Sequence, residues 1–164
     1  MLKILVISDT HVPTIAREIP TRIIDEGRSC DMIIHAGDIV SNRVVEQLSK
    51  IAPIHIVRGN MDAPDLIAIL PPTRIVRIGD WRIGIVHGHE GRGGDTPRRA
   101  LDAFGSEHLD CVIFGHSHQP LKERLNGTLL FNPGSPVAGR GPMGNTYGIL
   151  ELTDGFDAEI VQLE

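Results

Sequence analysis

The fold is first indicated by residues 2–11, which read LKILVISDTH. The run Leu2–Ile7 is apolar apart from one lysine, and a short run of this kind is typical of a strand buried on both faces. Polar side chains follow at once, from Ser8 to His11. The same order recurs at residues 32–36, followed by Gly37-Asp38, and at residues 54–57, followed by Gly59-Asn60-Met61-Asp62. This part of the chain therefore predicts three buried strands with polar ends.

The segments between these strands favour helices. Pro20 suits the first turn of one helix and Gly27 suits its end. Asn42 can cap a second helix, which Pro53 closes. Strands that alternate with helices are the signature of an α/β fold, and in such folds ligands bind beyond the carboxyl ends of the strands.

The second half of the chain predicts a different layout. A hairpin is expected from Thr73–Ile78 and Trp81–Val86 across Gly79-Asp80. A helix is expected to begin with Thr96 as its cap and Pro97 as its first residue. Further strands are expected at residues 111–114, 128–132, 146–152 and 156–163.

Length and charge narrow the class of protein. A chain of 164 residues predicts one domain, residues 1–164. The net charge of -5 and the six aromatic residues (four Phe, one Trp, one Tyr) give no strong nucleic-acid signal, because such binders need a basic stripe or stacking platforms. No apolar stretch approaches ~18 residues and no secretory signal is visible, so we expect a cytoplasmic protein that does not enter a membrane.

Metal-binding side chains gather at five predicted strand ends. These ends are Asp9-Thr10-His11, Gly37-Asp38, Gly59-Asn60, His87-Gly88-His89 and Gly115-His116-Ser117-His118. In an extended segment residues i and i+2 point to the same side, so Asp9 with His11, and His116 with His118, are expected to aim at one locus. Carboxylate, imidazole and amide donors suit Mn, Fe, Zn or Ni. The donors exceed what one closed four-coordinate site needs, which favours two ions that share a carboxylate.

These blocks, in this order and with Asn132-Pro133-Gly134-Ser135 after them, resemble the calcineurin-like metallophosphoesterase superfamily. The resemblance is greatest to its small single-domain phosphodiesterases of the YfcE type, and it runs from Leu2 to about Leu152. It implies an α/β protein with a four-layer α/β/β/α sandwich of mixed sheets. It also implies a dinuclear metal-dependent phosphodiesterase, a phosphoric ester hydrolase in which a metal-bridging hydroxide attacks phosphorus in line.

The resemblance also implies roles for individual residues. One metal would be held by Asp9, His11, Asp38 and His118, and the other by Asp38, Asn60, His87 and His116. Mn²⁺ is the favoured ion, with Fe, Ni or Zn as alternatives. Met61 stands where many larger members have a histidine, so Asn60 and Asp62 are the predicted catalytic residues beside it. His89, which could instead orient a ligand, and Arg140 are the predicted substrate-binding residues.

Other functions remain open on the sequence alone. A non-catalytic protein-interaction scaffold of the same fold, like the retromer subunit Vps29, would have no need for the complete ligand set. A phosphomonoesterase or a nucleotide pyrophosphatase would use the same site. The extra domains of the branches that act on polymers are missing, which favours a small-molecule phosphoester substrate; a homo-oligomer is left open.

Two groups near the predicted ligands have simpler expected roles. His35 lies inside a predicted buried strand and is expected to be a hydrogen-bonded residue of the core. Three arginines, at positions 92, 98 and 99, are expected to be solvated side chains at the start of a helix.

Overall fold

The computed structural model describes residues 1–164 and contains ten strands and four helices. Strands and helices alternate through the first part of the chain: β1 (Leu2–Ile7), α1 (Thr21–Arg28), β2 (Met32–His35), α2 (Asn42–Ser49), β3 (Ile54–Ile56) and α3 (Pro64–Ile69). The remainder is mostly strand: β4 (Thr73–Ile78), β5 (Trp81–Val86), α4 (Thr96–Asp102), β6 (Cys111–Ile113), β7 (Leu121–Leu125), β8 (Thr128–Asn132), β9 (Thr146–Leu152) and β10 (Phe156–Gln162).

The ten strands form two five-stranded sheets, each of them mixed. The first has the order β10-β9-β1-β2-β3, in which β1, β2 and β3 are parallel and β9 runs antiparallel to both of its neighbours. The second has the order β4-β5-β6-β8-β7, with a parallel centre of β5, β6 and β8 and antiparallel strands at both edges. The parallel strands of each sheet therefore end at a common edge.

The two faces of β1 pack against different layers, which explains its nearly continuous apolar run. Leu5 and Ile7 belong to the core that the first sheet shares with α1, α2 and α3. Ile4 and Val6 belong to the core between the two sheets. A third, smaller core joins the second sheet to α4 through Ala100. The layers are thus helix, sheet, sheet and helix, which confirms the predicted α/β/β/α sandwich.

Two elements were not predicted. Helix α3 has six residues, too few for an apolar period, and starts with Pro64. Strand β7 reads LKERL and lies at a sheet edge with four of its five residues exposed, so it lacks the alternation that marks a half-buried strand.

Two predicted helix caps were wrong by one residue. Ser41, not Asn42, caps α2, because its Oγ accepts the Arg43 N–H at 3.3 Å. Asp95, not Thr96, caps α4 and accepts the Arg98 N–H at 3.1 Å. In both cases two adjacent residues are good caps, and the path of the preceding loop decides between them. None of the helices has the length and apolar character that a membrane crossing requires.

Candidate metal centre

Most of the predicted ligands lie where the chain leaves the parallel strands in a left-handed turn. Seven non-glycine residues have positive φ, and five of them are predicted ligands: Asp9 (56°), His11 (43°), Asp38 (57°), His116 (68°) and His118 (57°). The expected reason for their convergence was therefore wrong, because these segments are not extended. Positive φ is uncommon outside glycine, and its concentration here marks strain held at one site by the surrounding fold.

The two oxygens of the Asp9 carboxylate have different surroundings. Oδ2 accepts hydrogen bonds from Ser8 Oγ at 2.8 Å and from the His116 N–H at 3.0 Å. Oδ1 is buried without a hydrogen-bond partner. Three imidazole Nε2 atoms surround it: His118 at 3.3 Å, and His11 and His87 at 3.8 Å. A buried carboxylate oxygen needs a cation or donor, so Oδ1 has the environment of a metal ligand.

Asp38 contacts imidazoles that follow strands of both sheets. Its Oδ1 accepts the Met61 N–H at 2.8 Å. Its Oδ2 lies 3.2 Å from His87 Nε2, after β5, and 3.5 Å from His11 Nε2, after β1. Burial alone would raise the pKa of the Asp38 carboxyl, but the hydrogen bond and charge of His87, together with the Met61 N–H, lower that pKa below its ordinary value. Asp38 is therefore an anionic link between the two sheets.

His87 and His118 are held in one tautomer by backbone carbonyl groups. His87 Nδ1 lies 2.7 Å from the Ala36 oxygen, and His118 Nδ1 lies 2.9 Å from the Ala138 oxygen. A carbonyl only accepts, so each Nδ1 carries a proton and donates it. Nε2, the nitrogen that faces the carboxylates, is then the atom left to bind an ion, and a carbonyl contact at the other ring nitrogen is usual for a metal-binding histidine.

The donor atoms fit bound divalent ions. Two sets of three residues each have their donor atoms within 4.8 Å of one another, and both sets include Asp9: Asp9, His11 and His118, and Asp9, Asp38 and His87. Two ligands at 2.0–2.2 Å from one ion are separated by about 3.0–3.6 Å at ordinary coordination angles. Separations of 3.2, 3.3 and 3.5 Å occur here, among them His11 Nε2 to His118 Nε2 at 3.3 Å. Mixed carboxylate and imidazole donors suit Mn, Fe, Zn or Ni.

Asn60 and His116 lie beside these two sets but outside them. Asn60 is exposed in the loop after β3, next to the Met61 N–H that binds Asp38. Its neighbour Gly59 approaches so closely that an added Cβ would lie 2.2 Å from Asp38 Oδ1. The half-buried His116 ring lies 5.3 Å from the His87 ring, between centroids. The assignment of Asn60 and His116 as ligands stays a prediction.

Asp62 contacts the backbone through both carboxylate oxygens. It is buried, its Oδ2 accepts the Gly59 N–H at 2.6 Å, and its Oδ1 accepts the Val40 N–H at 2.7 Å. These bonds tie the loop after β2 to the loop after β3. The contacts favour a role in placing Asp38 and Asn60 over proton transfer to a leaving group.

The two predicted substrate-binding residues lie at the rim of the centre. The His89 ring lies 5.3 Å from the His87 ring, between centroids, and its Nδ1 has no hydrogen-bond partner. Arg140 is exposed, and its backbone N–H donates to the His118 carbonyl at 2.8 Å. Both are therefore next to predicted ligands, and their contact with a substrate stays a prediction.

Several residues support the site through hydrogen bonds to its loops. Ser135 Oγ donates to the Asp9 carbonyl at 2.8 Å, and Asn132 Nδ2 donates to the Gly115 carbonyl at 3.0 Å. Both belong to the Asn132-Pro133-Gly134-Ser135 block, and this motif is the sequence signal that points to them.

Arg99 is not solvated as expected: its guanidinium donates to the Gly88 and Gly94 carbonyls and to Thr96 Oγ1.

His35 is the hydrogen-bonded core residue that the sequence predicts. It is fully buried and contacts Thr10 Oγ1 and the Gly37 N–H. Burial lowers the pKa of His35 to about 3, so the ring is neutral near neutral pH.

Comparison with known proteins identifies the family. Residues 2–155 match the family model of the calcineurin-like phosphoesterase superfamily domain, and the chain belongs to this superfamily. It is 39% identical over 160 residues to a probable metallophosphoesterase of Methanothermobacter thermautotrophicus, covering 96% of this chain and 90% of that protein.

Two solved structures are also similar. A structure reported as a novel archaeal phosphodiesterase is 27% identical, with a TM-score of 0.71 and coverage of 98% of this chain and 100% of that one. Vps29 from Entamoeba histolytica, complexed with Zn²⁺, is 25% identical, with a TM-score of 0.73 and coverage of 98% of each chain. Family and donor geometry together support a metal-binding hydrolase of the phosphoesterase class.

Proposed function

We propose that the chain is a dinuclear metal-dependent phosphodiesterase that hydrolyses small-molecule phosphodiesters. The observation that carries the proposal is the position of Asp38 Oδ2, which lies 3.5 Å from His11 Nε2 and 3.2 Å from His87 Nε2, members of the two different donor sets. The similarity to an archaeal phosphodiesterase supports the choice of diester substrates. In this proposal residues 1–164 act as one domain in the cytoplasm.

Seven residues would hold the two ions, with Mn²⁺ favoured. One ion would be held by Asp9, His11, Asp38 and His118, and the other by Asp38, Asn60, His87 and His116. Asp38 would bridge, since its Oδ2 is already within 3.5 Å of one imidazole from each set. When bound, two such ions acidify water and neutralise the charge that develops on phosphoryl oxygens.

The chain itself supplies charge, orientation and access. Asp9 and Asp38 bring negative charge that offsets part of the charge of the ions, and their pKa values, lowered by neighbouring imidazoles against the opposing effect of burial, keep them ionised. The carbonyl contacts of His87 and His118 keep their Nε2 atoms directed inward. His89 and Arg140, at the rim, would orient the phosphoester.

The absence of an imidazole at Met61 favours particular substrates. Met61 is 55% exposed and offers no proton to a departing oxygen. Protonation of the leaving group contributes about 10²–10⁴-fold in enzymes that have a placed acid. We therefore expect activated aryl phosphodiesters to react well ahead of alkyl phosphomonoesters.

The test compares aryl phosphodiester hydrolysis at saturating Mn²⁺ by the wild type, Asp38→Asn and Asp80→Asn. Asp38→Asn should lose at least ~10²-fold in rate, because it removes the bridging charge. Asp80→Asn is the matched control, since Asp80 is fully exposed in the turn between β4 and β5 and should leave the rate unchanged. Circular dichroism checks that each variant is folded.

The other candidate functions give different results in the same experiment. Faster hydrolysis of alkyl monoesters or of nucleotides would contradict the diester proposal and favour the phosphomonoesterase or pyrophosphatase. Bound ions without hydrolysis of any phosphoester would favour the scaffold. Metal binding alone does not separate enzyme from scaffold, because a Vps29 has been solved with Zn²⁺.

A further inference from the structure

A buried histidine lies behind the metal centre and contacts both loops that supply its carboxylates. His35 is the last residue of β2 and is fully buried. Its Nε2 lies 2.9 Å from Thr10 Oγ1, and its Nδ1 accepts the Gly37 N–H at 3.2 Å. Thr10 stands between Asp9 and His11 in the chain, and Gly37 directly precedes Asp38. One ring therefore spans the loop after β1 and the loop after β2.

The two contacts determine the tautomer of this ring. A backbone N–H only donates, so Nδ1 must be the acceptor for Gly37. In a neutral ring the proton is then on Nε2, which donates to the Thr10 hydroxyl. Both polar atoms of the side chain are used, although an aliphatic residue would fill a buried position without any need for partners.

Backbone hydrogen bonds also join these two loops, on either side of Thr10, whereas Thr10 itself is held by the His35 side chain. The Asp9 N–H donates to the Gly37 carbonyl and the His11 N–H to the Asp38 carbonyl, each at 3.0 Å. The contact with His35 lies between these two bonds along the chain. It acts on the residue that joins Asp9 to His11, both of which have positive φ.

We propose that His35 is a positioning residue of the metal centre, whose ring holds the Asp9–His11 loop and the Asp38 loop at the spacing that metal binding requires. The inference rests on the proposed metal site but not on the reaction. Partners that orient metal ligands typically change metal affinity by about 10–100-fold when removed. Since His35 acts through Thr10 and Gly37, we expect the lower end of that range.

The test measures Mn²⁺ affinity of the folded, metal-free protein by isothermal titration calorimetry. Thr10→Val keeps the shape but removes the hydroxyl, and it should weaken binding about ten-fold. Thr10→Ser keeps the hydroxyl and is the matched control, expected to remain within about two-fold, the usual error of such comparisons. His35→Phe fills the space with a ring that has no polar atoms and should weaken binding at least as much as Thr10→Val.

Two further variants test whether the contact itself is responsible. Thr10→Val combined with His35→Phe should bind no more weakly than His35→Phe alone, because His35→Phe already removes the bond that Thr10→Val removes. His35→Asn should recover part of the affinity, since its Oδ1 can accept the Gly37 N–H in place of Nδ1. Nitrogen-15 NMR of the wild-type ring should place the proton on Nε2, a signature that simple core packing does not require.

The outcomes separate this inference from the proposed function. Normal Mn²⁺ affinity, within about two-fold, in folded Thr10→Val and His35→Phe would overturn it and reduce His35 to core packing. If His35→Phe does not fold, the difference in Mn²⁺ affinity between Thr10→Val and Thr10→Ser decides whether the inference holds. Failure of the phosphodiesterase proposal would appear differently, as a wild type that binds Mn²⁺ but hydrolyses no phosphoester. The Mn²⁺ affinities of the Thr10 and His35 variants could then still be compared.

Discussion

At the residue scale, the centre depends on unequal use of each carboxylate. One Asp9 oxygen is satisfied by Ser8 and a backbone N–H, while the other faces imidazole nitrogens without a hydrogen bond. One Asp38 oxygen is likewise tied to the Met61 N–H, and the other faces two imidazoles. The fold therefore fixes each carboxylate through one oxygen and leaves the second directed at the centre.

Asp62 differs from this pattern, because both of its oxygens accept backbone N–H groups. Its substitution tests whether it donates a proton to the leaving group or holds the two loops together. Asp62→Asn replaces one acceptor oxygen by a donor, which would face the Gly59 or Val40 N–H. We expect a loss of about 1–3 kcal/mol in the free energy of unfolding, measured by urea denaturation. Aryl and alkyl phosphodiesters should lose rate by a similar factor.

A proton-donating Asp62 would produce another result. The loss of rate would then grow as the leaving group becomes poorer, because only poor leaving groups need the proton. Asp65→Asn is the matched control, since Asp65 is exposed in the first turn of α3. It should leave the leaving-group dependence unchanged.

At the element scale, α4 holds the loop that follows β5. The Arg99 guanidinium donates to the Gly88 carbonyl at 3.1 Å, to the Gly94 carbonyl at 3.0 Å and to Thr96 Oγ1 at 3.1 Å. Arg99→Ala should speed amide hydrogen exchange in residues 88–95 and raise KM more than it lowers kcat, because His89 lies in that loop. Arg92→Ala, at an exposed position of the same loop, is the control. Unchanged exchange in Arg99→Ala would contradict this role.

A second contact between elements gives the stability a defined dependence on pH. Glu26 in α1 accepts hydrogen bonds from Lys3 Nζ of β1 at 2.7 Å and from the Tyr147 hydroxyl of β9 at 3.1 Å. The Lys3 ammonium lowers the pKa of Glu26 from its ordinary value of 4.5. The contribution is therefore fully present above pH 4.5 and is lost as the pH falls through the lowered pKa.

Urea unfolding of Glu26→Gln at two pH values tests this sign. The variant should be less stable than the wild type at pH 7, and the difference should shrink at a pH below the lowered pKa, where Glu26 is protonated in both states. Glu159→Gln, at an exposed position of β10, is the control. A difference that grows on acidification would contradict the assignment.

At the scale of the whole molecule, the two sheets meet at a centre whose buried carboxylates and imidazoles are only partly satisfied by the protein. We expect close to two Mn²⁺ ions per chain by elemental analysis after reconstitution. Because ions bind the folded state, the first should add about 2.7 kcal/mol at a free concentration of 100 Kd, which corresponds to about 5–10 °C in Tm. Asp38→Asn should bind fewer ions, and its Tm should rise less when Mn²⁺ is added. At most one weakly bound ion in a folded wild type would contradict the dinuclear proposal.

Much of the architecture could be predicted from local sequence. The run Leu2–Ile7 is apolar on both faces because each face packs against a different layer, so consecutive residues of the strand must be apolar. The polar ends of β1, β2, β5 and β6 follow from the same pattern, because parallel strands place their carboxyl ends at one edge. Fold class and the position of the candidate metal-binding side chains are therefore encoded in short segments of the chain.

How the donors meet, and which neighbours hold them, depends instead on the packing of distant segments. The atoms involved are far apart in the chain: His11 and His118 are separated by 107 positions, and Ser135 and Asp9 by 126. The left-handed turns at Asp9, His11 and Asp38 are unfavourable locally and persist because these distant contacts hold them. A short segment of sequence indicates which residues are buried and which secondary structure they favour. The orientation of each donor atom is set by the packing of the two sheets against each other, which no short segment contains.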